Sequence, residues 1–341
     1  MSAQNPQGDE VILSVRNVTK YFPVGGMFHR MQLRALNEVS FELRRGKVLA
    51  LVGESGSGKS TAARCVARLI EPSSGEIWFR GKNILQTEKK AASLDYRGDV
   101  QMIFQDPFGS LNPVKTIDHT LRRSLQIHKK ASRGKDATDK IRSLLDSVGL
   151  APAEQFLDKY PYELSGGQRQ RVSFARALAV EPEVILADEP VSMLDVSIRM
   201  GILNLMERLK ADRGLSYLYI THDLASARYF ADETTVMYGG QMVEGAESEE
   251  LVNHPAHPYT QRLLDAVPDP LAEHEQRSDH QRWEPPVLVE PPPGCPFAPR
   301  CPYVMPVCRE VMPGPTVLND RHWVRCHLHG SGDTAVPMAA D

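Results

Sequence analysis

The sequence lacks a long apolar run, a strong net charge and an internal repeat. No hydrophobic stretch approaches the roughly 20 residues that an α-helix needs to cross a bilayer. The formal net charge is only −3, so the chain has no broad basic field of the kind that attracts nucleic acid. These absences argue against an integral membrane protein, and we expect no nucleic-acid partner.

The first residues also lack the features of a secretory signal. They read MSAQNPQGDE, with neither a basic start nor an apolar core. The rest of the composition is that of a globular protein, at 41% hydrophobic and 24% charged. A chain of 341 residues is long enough for a large domain with an appendage, or for two domains. We therefore expect a cytoplasmic protein.

Cysteine is scarce, and its placement is uneven. Four of the five cysteines follow position 294, and only Cys65 lies elsewhere, in a predicted helix where we expect a small packed side chain. In a reducing compartment such a cluster more often binds a metal than forms disulfides.

Short apolar runs alternate with helical periodicity along most of the chain. Strands are predicted at 11–15, 39–43, 48–52, 76–79, 100–104, 184–187 and 218–221, with a loop over 23–32. A helix is expected to open at Gly58 and to end before Pro72, and residues 115–180 are predominantly helical by period. This alternation indicates a mainly parallel α/β sheet.

The glycine-rich stretch GESGSGKST, residues 53–61, directly follows the apolar run 48–52. It fits the pattern G-x-x-x-x-G-K-[ST], in which backbone N–H groups and a helix N-terminus converge on phosphate oxygens. Lys59 would approach the β- and γ-phosphates, and the Ser60 hydroxyl would be a ligand of Mg²⁺. The predicted nucleotide contacts of this loop are Gly53, Ser55, Gly56, Gly58, Lys59, Ser60 and Thr61.

Two acidic residues follow the buried strand predicted at 184–187. Asp188 is placed to hold Mg²⁺, directly or through water. Glu189 is placed to orient or deprotonate an attacking water. The simpler alternative is a strand that ends in two solvated acids.

A second candidate phosphate surface lies in the stretch LSGGQRQ. Ser165 is predicted to cap a helix whose first turn contains Gly166, Gly167 and Gln168. One nucleotide does not need two such surfaces from one chain. A head-to-tail dimer, in which each ATP lies between the glycine-rich loop of one chain and the LSGGQ of the other, would use both.

Six motifs follow one another along residues 11–245: GESGSGKST, IFQDP, LSGGQRQR, VILADEP, SMLD and ITHDL. These motifs, in this order, resemble those of the ATP-binding cassette (ABC) ATPases. The resemblance implies an α/β P-loop NTPase fold. Its RecA-like core would carry an antiparallel β subdomain and an inserted helical subdomain at about 107–180.

The resemblance also implies roles for single residues. Gln105 resembles the glutamine that senses Mg²⁺ and the attacking water, and His222 the histidine that contacts the γ-phosphate. Asp195 resembles the aspartate that links the two sites of the dimer. Phe22 aligns with the aromatic residue that stacks on adenine, with Tyr21 as the alternative. The family commonly has alanine at the position of Met193, where we expect altered packing rather than lost catalysis.

The segment 254–268, HPAHPYTQRLLDAVP, resembles the tail of ATPases from bacterial oligopeptide/dipeptide importers, as does GCPFAPRCPYVMPVC. This implies an ATPase at the cytoplasmic face of the inner membrane. Its partners would be two transmembrane permease subunits, a second, different ABC ATPase, and an extracytoplasmic solute-binding protein. Importers of oligosaccharide or nickel, a soluble ABC ATPase acting on DNA or ribosomes, and a redox sensor remain alternatives.

We accordingly predict three parts: an ABC ATPase domain at 11–265, a proline-rich linker at 266–294, and a cysteine-containing C-terminal segment at 295–330. The intervals between its cysteines match neither paired zinc knuckles nor the bacterial ferredoxin run. A 4Fe–4S cluster, zinc and no metal at all stay open, with the cluster favoured by the resemblance. Its ligands would be Cys295, Cys301, Cys308 and Cys326.

Overall fold

The computed structural model describes residues 10–24, 31–88, 92–131, 134–265 and 292–330, without the side chains of 107 and 108. The strands are β1 (Val11–Val24), β2 (Met31–Arg44), β3 (Val48–Val52), β4 (Ser74–Phe79), β5 (Lys82–Asn83), β6 (Val100–Ile103), β7 (Val184–Asp188), β8 (Ser216–Thr221), β9 (Glu233–Tyr238), β10 (Gln241–Glu247), β11 (Thr316–Asn319) and β12 (His322–Val324). The α-helices are α1 (Lys59–Val66), α2 (Ile84–Thr87), α3 (Leu94–Asp99), α4 (Pro107–Ser110), α5 (Ile117–Ile127), α6 (Lys135–Ser147), α7 (Glu154–Leu157), α8 (Gly166–Leu178), α9 (Val196–Arg213), α10 (Leu224–Phe230), α11 (Ser248–Asn253), α12 (Pro258–Asp265) and α13 (Pro306–Glu310).

The chain divides into two compact units. Among the described residues, the first unit contains Glu10, Leu43–Val48 and Gln86–Ile220. The second contains Val11–Glu42, Leu49–Leu85 and the described residues from Thr221 onward.

In the first unit, parallel strands support a group of helices. β7 pairs in parallel with both β6 and β8, and all five residues of β7 are buried. A strand covered on both faces needs a continuous apolar run, which explains the sequence VILA. The predicted helical region contains α5, α6 and α8, and α5 buries the stripe Ile117, Leu121 and Leu125. The helical prediction for 115–180 is thus confirmed.

The second unit combines two strand groups. β1 lies between β2 and β4 in a four-stranded sheet, and the pairs β1–β4 and β4–β5 are antiparallel. β3 pairs in parallel with β9, which continues in antiparallel order through β10 and β12 to β11. The predicted cysteine-containing segment, residues 295–330, is therefore joined to the sheet through β12 and lies in the second unit. Most of the predicted linker, residues 266–291, lies outside the described residues.

Two local predictions need correction. The predicted loop over 23–32 is shorter, because β1 extends to Val24 and β2 begins at Met31; residues 25–30 lie outside the described ranges. The first helix ends at Val66 rather than just before Pro72. Arg68 has φ 55°, and a left-handed residue ends a helix by turning the chain out of it.

Candidate functional site

The glycine-rich loop connects β3 to α1 and is closely surrounded by backbone. A Cβ atom at Gly53 would lie 2.2 Å from the Met237 carbonyl oxygen, and one at Gly58 would lie 2.6 Å from that of Ala35. Gly58 also has φ 103°, a conformation that residues with side chains rarely adopt. Ser55 and Gly56 are exposed at the tip, while Ser60 and Thr61 are half-buried in the first turn of α1.

The Lys59 side chain folds back into this loop. Its Nζ donates to the Gly53 carbonyl oxygen at 2.6 Å, to the Glu54 carbonyl oxygen at 2.8 Å and to Ser57 Oγ at 3.2 Å. Lys59 is 4% exposed. The ammonium group is therefore held inside the loop by two carbonyl oxygens and a hydroxyl oxygen.

Glu54 of the loop has two further contacts that sequence reasoning missed. Its N–H donates to the Tyr259 hydroxyl oxygen at 2.8 Å. Its carboxylate accepts two hydrogen bonds from the Arg300 guanidinium, at 2.8 and 3.0 Å. No local pattern signals a pair 246 positions apart in the chain.

In the first unit, the structure brings Gln105 and Glu189 together. Gln105 Nε2 donates to Glu189 Oε2 at 3.0 Å. Asp188 ends β7 and is 2% exposed, and Glu189 directly follows it. Glu189 has φ 46°, and its N–H donates to the Ile220 carbonyl oxygen at 2.9 Å. This places a carboxylate and an amide side by side at the end of a buried strand.

The LSGGQ stretch forms the predicted cap at the start of α8. Ser165 Oγ accepts from the Gln168 N–H at 3.3 Å, and Gln168 Oε1 accepts from the Ser165 N–H at 3.0 Å. This reciprocal pair is a capping box. Gly167 lies close to Ile198, whose Cγ2 would be 2.6 Å from a Cβ atom at that position.

The turn that contains Asp195 is exposed in the chain. Asp195 is the N-cap residue of α9 without a side-chain capping bond. Met193 is 62% exposed and Val196 is 75% exposed. Met193 therefore buries only a small part of its apolar side chain within a single chain.

The remaining predicted nucleotide contacts lie in the second unit. His222 is exposed directly after β8. Phe22 is half-buried, with Lys20 Nζ 5.1 Å from its ring centroid. Tyr21, the alternative aromatic, has the Arg34 guanidinium 5.1 Å from its ring centroid.

The four C-terminal cysteines line one small cavity, together with His257, Pro258, Phe297, Ala298, Tyr303, Pro313, His327 and Leu328. Burial raises the pKa of the Cys295 thiol to about 11, and it also raises the pKa values of Cys301 and Cys326. Within the described ranges, no group of three or more His, Cys, Asp or Glu side chains is arranged to hold a metal ion. The expected iron–sulfur cluster gains no support from this arrangement. Cys65 is fully buried, as predicted.

Comparison with known proteins identifies the family. The ABC transporter family matches residues 36–192. The family described as oligopeptide/dipeptide transporter, C-terminal region, matches residues 243–308. The oligopeptide transport ATP-binding protein AppF of Bacillus subtilis is 43% identical over 334 residues, which cover 96% of this chain and 100% of that protein. The chain belongs to the oligopeptide/dipeptide family of ABC transporter ATP-binding proteins.

A second relative and two solved structures agree with this assignment. The dipeptide transport ATP-binding protein DppF of Escherichia coli is 41% identical, covering 92% of this chain and 93% of that protein. The structure of cbiO1 from Clostridium perfringens, part of an ABC transporter complex, has a TM-score of 0.61 at 26% identity, covering 72% of this chain and 92% of that one. The cassette MJ0796, a dimer bound to ADP and Pi after hydrolysis, has a TM-score of 0.60 at 27% identity, covering 69% and 98%. The predicted ABC cassette fold and ATPase class are confirmed.

Among the described residues, we find no helix with the length and hydrophobicity needed to span a bilayer.

Proposed function

We propose that this chain is the ATP-hydrolysing subunit that energises a binding-protein-dependent importer of dipeptides or oligopeptides. The observation that carries the proposal is the 43% identity to an oligopeptide transport ATP-binding protein over that protein's whole length. A cassette with a glycine-rich loop, a buried Asp188 and a Glu189–Gln105 pair is consistent with ATP hydrolysis.

The residues are assigned roles on the family resemblance and their local geometry. Backbone N–H groups of residues 53–61 bind the phosphates, and the Lys59 ammonium group is the cation for the β- and γ-phosphates. Glu189 orients the attacking water and accepts its proton, and Gln105 holds that carboxylate in place. His222 contacts the γ-phosphate and Phe22 stacks on adenine. As in other P-loop NTPases, rate acceleration comes chiefly from positioning and electrostatic stabilisation.

Oxygen atoms of Ser60, Gln105 and Asp188 are the proposed ligands of Mg²⁺. Hydroxyl, amide and carboxylate oxygens are the hard donors that this ion prefers, so the residue types fit it. When bound, the ion neutralises charge on the β- and γ-phosphates.

A head-to-tail dimer is proposed as the active form. The capping box that orders Gly166 and Gly167, together with the exposed apolar side chains of Met193 and Val196, supports a contact surface for a second cassette. Asp195 lies between those two apolar residues. The second cassette is a different ABC ATPase in our proposal, and closure of the pair around ATP drives the transport cycle.

The remaining partners follow from the import function. Two transmembrane permease subunits would anchor the protein to the cytoplasmic face of the inner membrane, and an extracytoplasmic binding protein would deliver the solute. Cargo is chosen by those partners. Peptides are proposed because both relatives are named for peptide transport.

For the cysteine segment we propose an iron–sulfur cluster, with zinc as the alternative. Four thiols around one cavity are a donor set of the right kind for either. Because no three of them stand in ligand positions, binding would require the turns around them to rearrange. Iron and acid-labile sulfide in anaerobically purified protein would support the cluster, whereas stoichiometric zinc without iron would contradict it.

The import function is tested by isolating the tagged protein from detergent-solubilised membranes of its host and identifying its partners by mass spectrometry. Two multi-span proteins and a second ABC ATPase are expected, and a co-purifying binding protein tests the peptide cargo by its ligand preference. Recovery of soluble partners alone would contradict transport and leave only the ATPase activity.

A further inference from the structure

An acidic side chain lies inside the loop that we assign to nucleotide phosphates. Glu54 directly follows Gly53, and its carbonyl oxygen accepts a hydrogen bond from Lys59 Nζ. A carboxylate at this position would repel phosphate unless a cation neutralised it, because the interaction between charges is long-ranged where water is partly excluded.

The neutralising cation comes from the cysteine segment. Both Nη atoms of Arg300 bind the two carboxylate oxygens of Glu54, at 2.8 and 3.0 Å. The side chains are 18% and 26% exposed, so the pair is largely withdrawn from solvent. A planar two-point contact fixes the orientation of both groups as well as their distance.

Arg300 is itself held by aromatic rings. Its guanidinium carbon lies 5.8 Å from the Tyr238 ring centroid and 5.9 Å from that of Phe297. Tyr238, Tyr259 and Phe297 pack against one another, with ring centroids 4.6 to 5.4 Å apart. Phe297 is fully buried. The guanidinium therefore has little freedom to move away from Glu54.

The same turn carries two of the cysteines. Phe297 and Arg300 lie between Cys295 and Cys301, and backbone bonds from Ala298 N–H to the Cys295 carbonyl oxygen (3.0 Å) and from Arg300 N–H to the Phe297 carbonyl oxygen (2.9 Å) close the turn. The geometry of residues 295–301 is thus linked directly to the geometry of Glu54.

We propose that Arg300 is a positioning residue for nucleotide binding, through which the cysteine turn 295–301 holds and neutralises Glu54 in the phosphate-binding loop. The inference rests on the proposed function. It adds to that function a contact outside the loop on which nucleotide affinity depends. Any change in the cysteine turn that displaces Arg300 lowers the affinity of the loop for ATP.

The test compares MgATP dissociation constants of full-length variants, measured by fluorescent-nucleotide displacement, with their thermal unfolding midpoints. Arg300→Ala is expected to weaken MgATP binding about tenfold, because it leaves a largely buried carboxylate unpaired beside the phosphates. Arg300→Lys keeps the charge but loses the two-point contact, so it is expected to give an intermediate affinity.

Removal of the charge on Glu54 provides the decisive comparison. Glu54→Gln in the Arg300→Ala background is expected to restore most of the lost affinity, since no uncompensated carboxylate remains. Glu54→Gln alone removes only the charge and keeps the loop sequence close to native. Its MgATP affinity is the reference for the series if Arg300→Ala fails to fold.

Arg228→Ala is the matched control, because Arg228 also forms a two-point pair with a glutamate, Glu249, in the same unit. It is expected to leave the MgATP affinity unchanged. If Arg300→Ala lowers the unfolding midpoint without altering the affinity, or if Glu54→Gln fails to restore it, the proposal is wrong. Wild-type protein that binds no MgATP would contradict the proposed function itself, whereas equal affinities across the series would contradict only this inference.

Discussion

At the scale of single residues, Glu189 combines an uncommon backbone conformation with a specific neighbour. Its φ of 46° lies in the left-handed region, which costs a residue with a side chain on the order of 1 kcal/mol or more. The conformation sets the carboxylate 3.0 Å from Gln105 Nε2. We infer that the geometry serves the placement of that carboxylate rather than the stability of the turn.

Replacement of Glu189 by Gln keeps the size and the hydrogen-bonding capacity of the side chain but removes the carboxylate that we propose as the base. We expect ATP turnover to fall by about 10²- to 10⁴-fold, with MgATP affinity within about threefold of wild type. Steady-state phosphate release and nucleotide displacement measure the two effects. Glu181→Gln is the matched control, because Glu181 also has a positive φ (58°) in the same unit; an equal loss of turnover there would contradict the assignment.

How far the sequence predicts the site also depends on individual residues. The capping box at Ser165 and the loop around Lys59 are local patterns, so their geometry follows from neighbouring residues. The contacts of Glu54 with Tyr259 and Arg300 were missed, because they depend on where distant segments pack. The sequence assigned Gln105 and Glu189 separate roles, and their direct hydrogen bond was not predicted, because the two residues are 84 positions apart in the chain.

At the scale of elements, the start of α8 depends on the close approach of Gly167 to Ile198 of α9. An added methyl group would lie 2.6 Å from Ile198 Cγ2, well inside normal contact distance. Two helices that approach this closely tolerate no added carbon without a shift of one of them.

We therefore expect Gly167→Ala to lower the free energy of unfolding by about 1–3 kcal/mol. Adding Ile198→Ala removes the opposing atoms, so the double variant should be little less stable than Ile198→Ala alone. Urea denaturation monitored by circular dichroism measures each value. Gly166→Ala, whose Cβ would be 3.3 Å from Leu194 Cδ2, is the control and should cost less.

The junction of β10 with β12 contains a buried charged pair. His322 Nε2 lies 2.8 Å from Glu244 Oε1, and both side chains are at most 2% exposed. Burial alone lowers the pKa of His322, yet the hydrogen bond and attraction of Glu244, joined by those of Glu250, raise it above its usual value. The imidazolium form is therefore favoured by folding.

The sign of the pH dependence follows from this raised pKa. The stabilisation is fully present below the unfolded pKa of about 6.5 and is lost as the pH rises through the folded value. His322→Gln is accordingly expected to lower the free energy of unfolding more at about pH 5.5 than at about pH 8.5. Urea denaturation at both pH values is the measurement, with the exposed His119→Gln as control; an equal loss at both would contradict the prediction.

The strands and the first helix show which sequence signals are sufficient to predict the bounds of an element. β3 and β7 were predicted well, because a continuous apolar run flanked by polar residues has few alternatives as a buried strand. β1 and β2 were predicted too short, since their polar ends are stabilised by cross-strand pairing that composition does not reveal. The C-terminal end of α1 depended on the φ of Arg68, a backbone feature that no side-chain pattern indicates.

At the scale of the whole molecule, the exposed apolar residues around Asp195 bear on assembly. Val196 and Met193 expose most of their side-chain surface in the single chain. Burial of such residues between two cassettes would contribute favourable free energy in proportion to the apolar area removed from water.

Val196→Glu, made in the hydrolysis-deficient Glu189→Gln background, is expected to abolish the ATP-dependent dimer, because a charge would be desolvated at the contact. Sedimentation velocity of this chain mixed with the ABC ATPase that co-purifies with it, with and without MgATP, measures the dimer fraction. Val114→Glu alters an equally exposed valine (72%) of the same unit and should leave the dimer intact. A dimer unaffected by Val196→Glu would place the contact elsewhere.

The separation of Glu54 from Arg300 has a consequence for protein synthesis. The two residues are 246 positions apart, and ribosomes add about 5–20 residues per second, so the phosphate-binding loop is made roughly 12–50 s before its counter-charge. During that interval the nascent loop carries an unneutralised carboxylate. If Arg300 neutralises this carboxylate as proposed, full nucleotide affinity arises only after Arg300 has emerged, and a chain truncated before Arg300 should bind MgATP about tenfold more weakly.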